Sequence, residues 1–270
     1  MKKIALVQMT STDSFEKNLD TALSLLIRAA NNRADLIAFP ENFLYLGSSK
    51  NYQEVASSIP GKITEIFQNQ AAKHNISILL GSIIENTAQQ PIRYYNTSVL
   101  IDRQGNLAAR YRKIHLFDVD LPEIKLQESQ YYLKGEEIVV CDHEIGKIGF
   151  SICYDIRFPM LFQKLADKGA EIVFAPAAFT LQTGKDHWLP LLQARAIENQ
   201  IYLAAPAQFG RHNRLRISYG STVIIDPWGI VTGRAPEKTG LLLGEIDLHY
   251  LHQIRKEMPV QSHRVEHIDY

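Results

Sequence analysis

Three short segments each place a reactive side chain just after a strand-like run. In Phe39-Pro40-Glu41-Asn42-Phe43 an acid follows a strand-like stretch and a proline. In Tyr111-Arg112-Lys113-Ile114-His115-Leu116-Phe117-Asp118 a lysine sits among apolar neighbours. In Gly149-Phe150-Ser151-Ile152-Cys153-Tyr154-Asp155-Ile156-Arg157-Phe158-Pro159 a strand ends in a cysteine that opens onto a helix. Open α/β sheets place their sites at strand ends of this kind. A thiol at such a turn lies near helix N–H groups, which favour the thiolate and can hold an oxyanion. A carboxylate can take the thiol proton, and an ammonium can stabilise the oxyanion that attack creates. Each residue alone has a plainer reading: Cys153 as a small buried hydrophobe, Glu41 as a helix cap, Lys113 as an ion-pair partner. Together, in this order, they point to nucleophilic catalysis.

The elements that must position these groups alternate in βα fashion. Ile4–Gln8 reads as a strand, and Phe15, Leu19, Ala22, Leu23, Leu26 and Ala30 mark one face of a helix capped by Ser14 or Asp13. Asp35–Phe39 is a second strand, stopped by Pro40; a helix follows over Lys62–His74, then a strand over Ile76–Gly81. Tyr94–Asp102 and Leu107–Arg112 flank a turn. The second half repeats the theme, with strands at Ile148–Ile152, Ile172–Ala175 and Ile201–Ala205, and helices at Phe158–Ala170 and His187–Asn199. A hairpin over Ser221–Thr232 turns at Asp226-Pro227-Trp228-Gly229. No Gly-, Ser- or Pro-rich linker divides the halves, so residues 1–270 are expected to form one domain with two sheets between helical layers. The polar end from Met258 reads either as a tail packed on a neighbour or as a frayed terminus.

Composition narrows the function. The 270 residues carry 29 basic and 29 acidic side chains, a balance that argues against a nucleic-acid partner. No apolar run reaches the roughly 18 residues of a membrane span, so no membrane partner is expected. The two cysteines, Cys141 and Cys153, exclude a disulfide framework and point to a reducing cytoplasm. Cys141-Asp142-His143 falls short of a zinc site, and Gly220-Ser221-Thr222 lacks the spacing and lysine of a phosphate loop. Neither a metal nor a cofactor is expected.

The motifs around Glu41, Lys113 and Cys153 resemble the three signature motifs of the nitrilase superfamily of carbon–nitrogen hydrolases, in the same order over nearly the whole chain. The resemblance implies an α/β fold, the four-layer αββα sandwich of the nitrilase type. It implies a Glu-Lys-Cys triad at Glu41, Lys113 and Cys153, and a second glutamate that falls on Glu128 and would orient Lys113 or the attacking water. It implies a homodimer or larger homo-oligomer. It also implies hydrolysis through a cysteine thioester, with Lys113 and the Tyr154 N–H holding the oxyanion.

Within the superfamily, Phe179, Thr183-Gly184, His187-Trp188 and Arg195–Gln200 resemble the branch that contains deaminated glutathione amidase and omega-amidase. Ser221 departs from it, standing where that branch often has a histidine. The implied substrate is a small-molecule terminal amide of a carboxylic acid. Phe179 and Thr183 are expected to contact it from a loop over Pro176–Trp188, with Trp188 equally suited to the core. Tyr45, Arg157 and Arg211 are the candidates for an acyl carboxylate, and Arg211 is preferred for the cationic stretch around it. His115 reads as a structural histidine, and Asp155 and Arg157 as braces of the nucleophile turn. The alternatives are another amidase of the superfamily, acting on N-carbamoyl or aliphatic amides, or an idle binding scaffold; a metal-dependent phosphoesterase would need ligands that are not apparent.

Overall fold

The computed structural model describes residues 1–88, 92–121, 124–214 and 216–265. Its strands are β1 (Lys2–Gln8), β2 (Leu36–Ala38), β3 (Ser77–Asn86), β4 (Tyr94–Ile101), β5 (Leu107–Arg112), β6 (Asp118–Leu121), β7 (Ile124–Gln127) and β8 (Val140–Cys141). They continue as β9 (Ile148–Phe150), β10 (Ile172–Phe174), β11 (Tyr202–Ala205), β12 (Phe209–Arg211), β13 (Ile217–Tyr219), β14 (Val223–Ile225), β15 (Val231–Arg234) and β16 (Gly240–Ile246). The helices are α1 (Phe15–Asn31), α2 (Tyr52–Val55), α3 (Lys62–His74), α4 (Pro159–Asp167), α5 (Leu181–Asn199) and α6 (Leu248–Glu257).

Two six-stranded sheets run β16-β1-β2-β3-β4-β5 and β8-β9-β10-β11-β14-β15. Their plans match. In each, three parallel strands (β1, β2, β3 and β9, β10, β11) carry an antiparallel neighbour on one side and an antiparallel pair on the other. Strand alternation then sorts the layers. Ile4 and Leu6 of β1 join a core with Phe150, Phe174 and Ile224 of the second sheet, whereas Ala5 and Val7 join Leu26 of α1 and Phe67 of α3. The first core also takes in Phe162 of α4 and Trp188 of α5. Each such side chain, fully withdrawn from water, contributes about 1.5–3 kcal/mol. The result is the expected αββα sandwich.

The structure departs from the sequence expectation in several places. Helix α5 begins at Leu181, not His187, so the supposed loop to Trp188 is half helix. Thr180 caps it, its hydroxyl accepting from the Thr183 N–H. Strand β16 and helix α6 had no expectation, nor did the small hairpins β6–β7 and β12–β13. The polar end packs on its own chain: Gln261 Nε2 donates to the Asn199 carbonyl at 3.2 Å and Arg264 bonds Asp167 at 2.5 Å. Residues 266–270 lie outside the described residues. Among the described residues no helix is long and apolar enough to cross a membrane.

Candidate active site

The middle parallel strands of the two sheets end facing each other, and the site forms there. Beyond β2 the chain leaves the sheet through Phe39-Pro40-Glu41. Gly81 makes this exit possible, because a Cβ there would lie 1.7 Å from the Phe39 carbonyl oxygen, against backbone that cannot yield. Phe39 and Phe43 stack 4.6 Å apart on either side of Glu41, and Asn42 turns the chain at φ 53°, a conformation Asn tolerates. Glu41 is thereby buried at 1% exposure.

Lys113 follows the last residue of β5 and is equally buried. Its N–H donates to the Asn96 carbonyl at 2.9 Å, and its ammonium donates to Glu41 Oε1 at 2.9 Å and to both Glu128 oxygens at 2.9 and 3.1 Å. Glu128 opens a single 3₁₀ turn after β7, where its Oε2 also accepts from the Phe117 N–H at 2.8 Å. Glu41 Oε1 accepts a second bond from Asn96 Nδ2 at 2.9 Å, and Oε2 accepts from the Ala178 N–H, just past β10, at 2.9 Å. Both sheets therefore hold this carboxylate.

Cys153 begins a 3₁₀ turn, Cys153–Arg157, between β9 and α4, at φ 49°. A non-glycine residue in this left-handed region costs about 1–3 kcal/mol and persists only when its surroundings impose it. Here the Cys153 N–H is tied to the Pro176 carbonyl at 2.9 Å. Asp155, wholly buried, accepts from the Ile152 N–H at 2.8 Å, the Tyr111 hydroxyl at 2.7 Å and the His115 N–H at 3.0 Å, with the His115 ring nitrogen at 2.7 Å. His115 stacks on Phe158, 3.6 Å between centroids. Asp155 and His115 thus brace the turn that carries Cys153.

The charges sort clearly. Burial pushes the Cys153 thiol well above the ordinary range, and the Glu41 and Glu128 carboxylates push it the same way against the pull of Lys113. Burial also pushes the Glu41 carboxyl up, but the Lys113 ammonium beside it, with hydrogen bonds from Lys113 and Cys153, holds it below its ordinary value. Burial opposes the charge on Lys113, yet Glu128 and Glu41 raise its pKa well above the ordinary lysine value. The resting arrangement is a neutral thiol beside a carboxylate and an ammonium.

Glu41, Glu128, Cys153, Tyr154, Phe179 and Thr183 border one cavity. The structure thus brings together six of the expected site residues there, while Lys113 bonds Glu41 and Glu128 from behind. Phe117, Ala178, Thr180 and Arg216 complete the wall and were not anticipated. Asn96 was also missed, although a polar residue on a buried strand face was visible in the sequence. Arg211 is the exception among the expected contacts: it is exposed at the end of β12, its guanidinium on the Arg214 carbonyl, and it does not border the cavity. The register explains this, since Arg211 pairs with Ile217 and leaves Arg216 in the connecting turn to face inward. Tyr45 is buried elsewhere with its hydroxyl on the Ser48 carbonyl, and Arg157 lies over the Tyr154 and Phe179 rings. Trp188 is core, its Nε1 donating to the Ser221 carbonyl at 2.9 Å. Among the described residues no group of three or more His, Cys, Asp or Glu is placed to hold a metal ion.

Comparison with known proteins extends beyond the site. The profile of the carbon–nitrogen hydrolase family matches residues 3–256. The chain is 42% identical over 264 residues to a protein named deaminated glutathione amidase from Synechocystis sp., covering 97% of each. Its structure is similar to that of the Caenorhabditis elegans NitFhit protein, with a TM-score of 0.91 at 39% identity; the match covers 97% of this chain but only 65% of that longer one. Saccharomyces cerevisiae Nit3, described as a member of branch 10 of the nitrilase superfamily, gives a TM-score of 0.86 at 30% identity, covering 96% of this chain and 94% of that one. Sequence and architecture agree along nearly the full length, and the chain belongs to the carbon–nitrogen hydrolase family.

Proposed function

We propose that the protein is an amidase that hydrolyses the terminal amide of a small carboxylic acid and releases ammonia through a thioester on Cys153. The observation that carries this reading is the buried pairing of a carboxylate, Glu41, with a thiol that burial keeps protonated. Such a pair needs a proton transfer before the sulfur can attack, and Glu41 is the adjacent base.

In this mechanism Glu41 takes the Cys153 proton as the sulfur adds to the amide carbon. Lys113 and the Tyr154 N–H receive the oxyanion; the Cys153 N–H is already committed to Pro176. Glu41 returns the proton to the departing amine, the C–N bond breaks, and ammonia leaves a thioester. Glu41 then takes a proton from water as the hydroxide adds. Collapse breaks the C–S bond and the proton goes back to sulfur, giving the carboxylic acid and the free thiol. Glu128 keeps Lys113 aimed at the oxyanion through its paired oxygens.

For the substrate we favour deaminated glutathione, whose amide gives up a dipeptide amine where a terminal amide gives up ammonia, ahead of 2-oxoglutaramate, supported by the 42% identical relative that bears that name. We further propose that residues 1–270 act as one domain in the cytoplasm, without metal or cofactor, as a homodimer or larger assembly. Sedimentation giving only a 30.7 kDa monomer at micromolar concentration would refute the assembly.

Ammonia release from a panel of ω-amides and N-carbamoyl compounds, with dipeptide release from deaminated glutathione, tests the reaction. Cys153→Ala and Cys153→Ser are expected to abolish it, while Cys141→Ala, away from the cavity, keeps most of it. Substantial turnover by Cys153→Ala would sink the mechanism.

A further inference from the structure

The segment that follows β10 holds both reacting groups. The Pro176 carbonyl accepts from the Cys153 N–H at 2.9 Å, and two residues later the Ala178 N–H donates to Glu41 Oε2 at 2.9 Å. Pro176-Ala177-Ala178 thus sets the spacing between nucleophile and base. The carbonyl of the residue between them, Ala177, accepts from the Gln208 N–H at 2.8 Å. Gln208 follows β11 and is fully withdrawn from water. Its Nε2 donates to the Glu41 carbonyl at 3.0 Å and to Ser11 Oγ at 2.7 Å, and its Oε1 accepts from the Ser11 N–H at 3.0 Å.

We propose that Gln208 is a positioning residue for the reaction, locking the backbone of the base to the segment that spaces the base from the nucleophile. This role rests on the amidase reading above and adds a residue that lies outside the cavity wall.

Two observations support it. First, the bonds close a ring. It runs from the Glu41 carbonyl through the Gln208 side chain to the Gln208 N–H and the Ala177 carbonyl, then returns from the Ala178 N–H to Glu41 Oε2. The second sheet therefore grips Glu41 at main chain and carboxylate together, and neither end shifts without the other. Second, the amide is saturated. Both Nε2 protons and Oε1 are engaged, and Ser11, itself fully buried, passes a bond from its hydroxyl to the Phe43 carbonyl at 2.7 Å. The chain exits of β1, β2, β10 and β11 meet on this one side chain. An apolar residue there would leave the Ser11 N–H and the Glu41 carbonyl unpaired in a dry interior, which native proteins avoid.

A second buried glutamine supplies the control. Gln8, in β1, donates to the Pro236 and Lys238 carbonyls at 2.6 and 3.0 Å and accepts from the Thr222 N–H at 2.9 Å. It makes as many bonds, but none of them reaches Glu41 or Ala177.

The test pairs Gln208→Met with Gln8→Met, since methionine fills a similar volume without the hydrogen bonds. Both variants are expected to lose stability in urea unfolding. Only Gln208→Met is expected to lose kcat, by about 100-fold, the cost of a misplacement of about 1 Å between reacting groups. Its KM should stay near wild type, because the residue touches no substrate. Alkylation of Cys153 by iodoacetamide gives a reading that needs no substrate: sulfur bonds to carbon, iodide leaves and the thiol proton passes to Glu41. Its rate at neutral pH should fall in Gln208→Met and hold in Gln8→Met. Equal losses of kcat in the two variants, wild-type kcat in a folded Gln208→Met, or alkylation that ignores Gln208 overturns the proposal. If Gln208→Met does not fold, hydrogen exchange on the wild type decides. The Ala178 and Gln208 amides should exchange together, as one opening unit, because each closes the same ring; independent exchange overturns the proposal. Absence of product from every amide in the panel, with alkylation still following Gln208, would instead overturn the amidase reading and leave the positioning of Glu41 against Cys153 standing.

Discussion

Two ion clusters grow from the same two strand positions and come to opposite ends. Asn96 and Thr97 are consecutive in β4, and Arg112 and Lys113 are consecutive at the end of β5. The pleat sends one of each pair to either face of the sheet. Thr97 Oγ1 and Arg112 converge on Glu85, with bonds of 2.7 Å from the hydroxyl and 2.8 and 2.6 Å from the guanidinium. Asn96 Nδ2 and Lys113 converge on Glu41. Each cluster is a buried carboxylate with a hydroxyl or amide and a cation, Glu85 taking a second guanidinium from Arg110 at 3.3 Å. The Arg112 side chain, however, stays 33% exposed and lies over Tyr95, while Lys113 is sealed at 1% beside a thiol. The outer cluster spends its geometry on a saturated bidentate pair. The inner one uses a compact ammonium whose three protons reach two carboxylates, one of its two Glu128 bonds being free to turn to a new oxygen without breaking either pair. Composition alone does not separate the two clusters; burial, the neighbouring thiol and the choice of lysine over arginine do.

Exchanging the cations probes that difference most directly. Lys113→Arg is expected to lower kcat by about 100- to 1000-fold, the loss typical of an oxyanion donor, because the larger planar fork cannot sit between Glu41 and Glu128 in a closed site. Single-turnover thioester formation checks whether the acylation step carries the loss. Glu85→Gln should act on stability rather than rate, costing about 1–3 kcal/mol in urea unfolding with kcat/KM near wild type. Arg112→Lys, the reverse exchange, should show the least: at most about 1 kcal/mol, since the side chain is partly solvated. A large rate defect in either outer variant would mean that the two faces of the sheet are coupled and that the contrast drawn between them is wrong.

Much of this arrangement was legible in the sequence where local pattern and global fold agree. Helix α3 runs over Lys62–His74, as its periodicity predicts, and the parallel strands fall within a few residues of their apolar runs. Glu41, Lys113 and Cys153 stand out because each is a reactive group placed where a strand must end. The start of α5 did not, because Gly184, Pro190 and the polar residues between Leu181 and His187 weaken its helical pattern. Tertiary packing decides there: a Cβ at Gly184 would lie 2.4 Å from the Tyr219 side chain, so the glycine marks a close approach of helix to hairpin rather than a break. Strand β16 carries a Leu run between glycines and gains its meaning only from antiparallel pairing with β1, some 230 residues away in sequence. The choice between Arg211 and Arg216 was likewise hidden, because the register of a three-residue hairpin is set by contacts outside it.

The anchoring of that hairpin gives the protein a built-in sensitivity to protons. Burial, with a smaller push from the Arg216 charge, lowers the His212 pKa from 6.5 to about 4, against the pull of its bond to the Ser11 carbonyl. The ring is therefore neutral across the physiological range, and its two nitrogens serve a carbonyl on one side and a hydroxyl on the other. In the unfolded chain the same imidazole takes up a proton near pH 6.5. Between pH 6.5 and 4 the unfolded state binds more protons than the folded one, so this contribution is intact above pH 6.5 and drains away as the pH falls, reaching about 3 kcal/mol near pH 4. Urea midpoints should decline over this interval, and His212→Gln should flatten the decline; an unaltered slope would show that the proton goes elsewhere. Because the same hairpin carries Arg216 on the cavity wall, one buried imidazole serves both the acid limit of the fold and the placement of that wall against the first sheet.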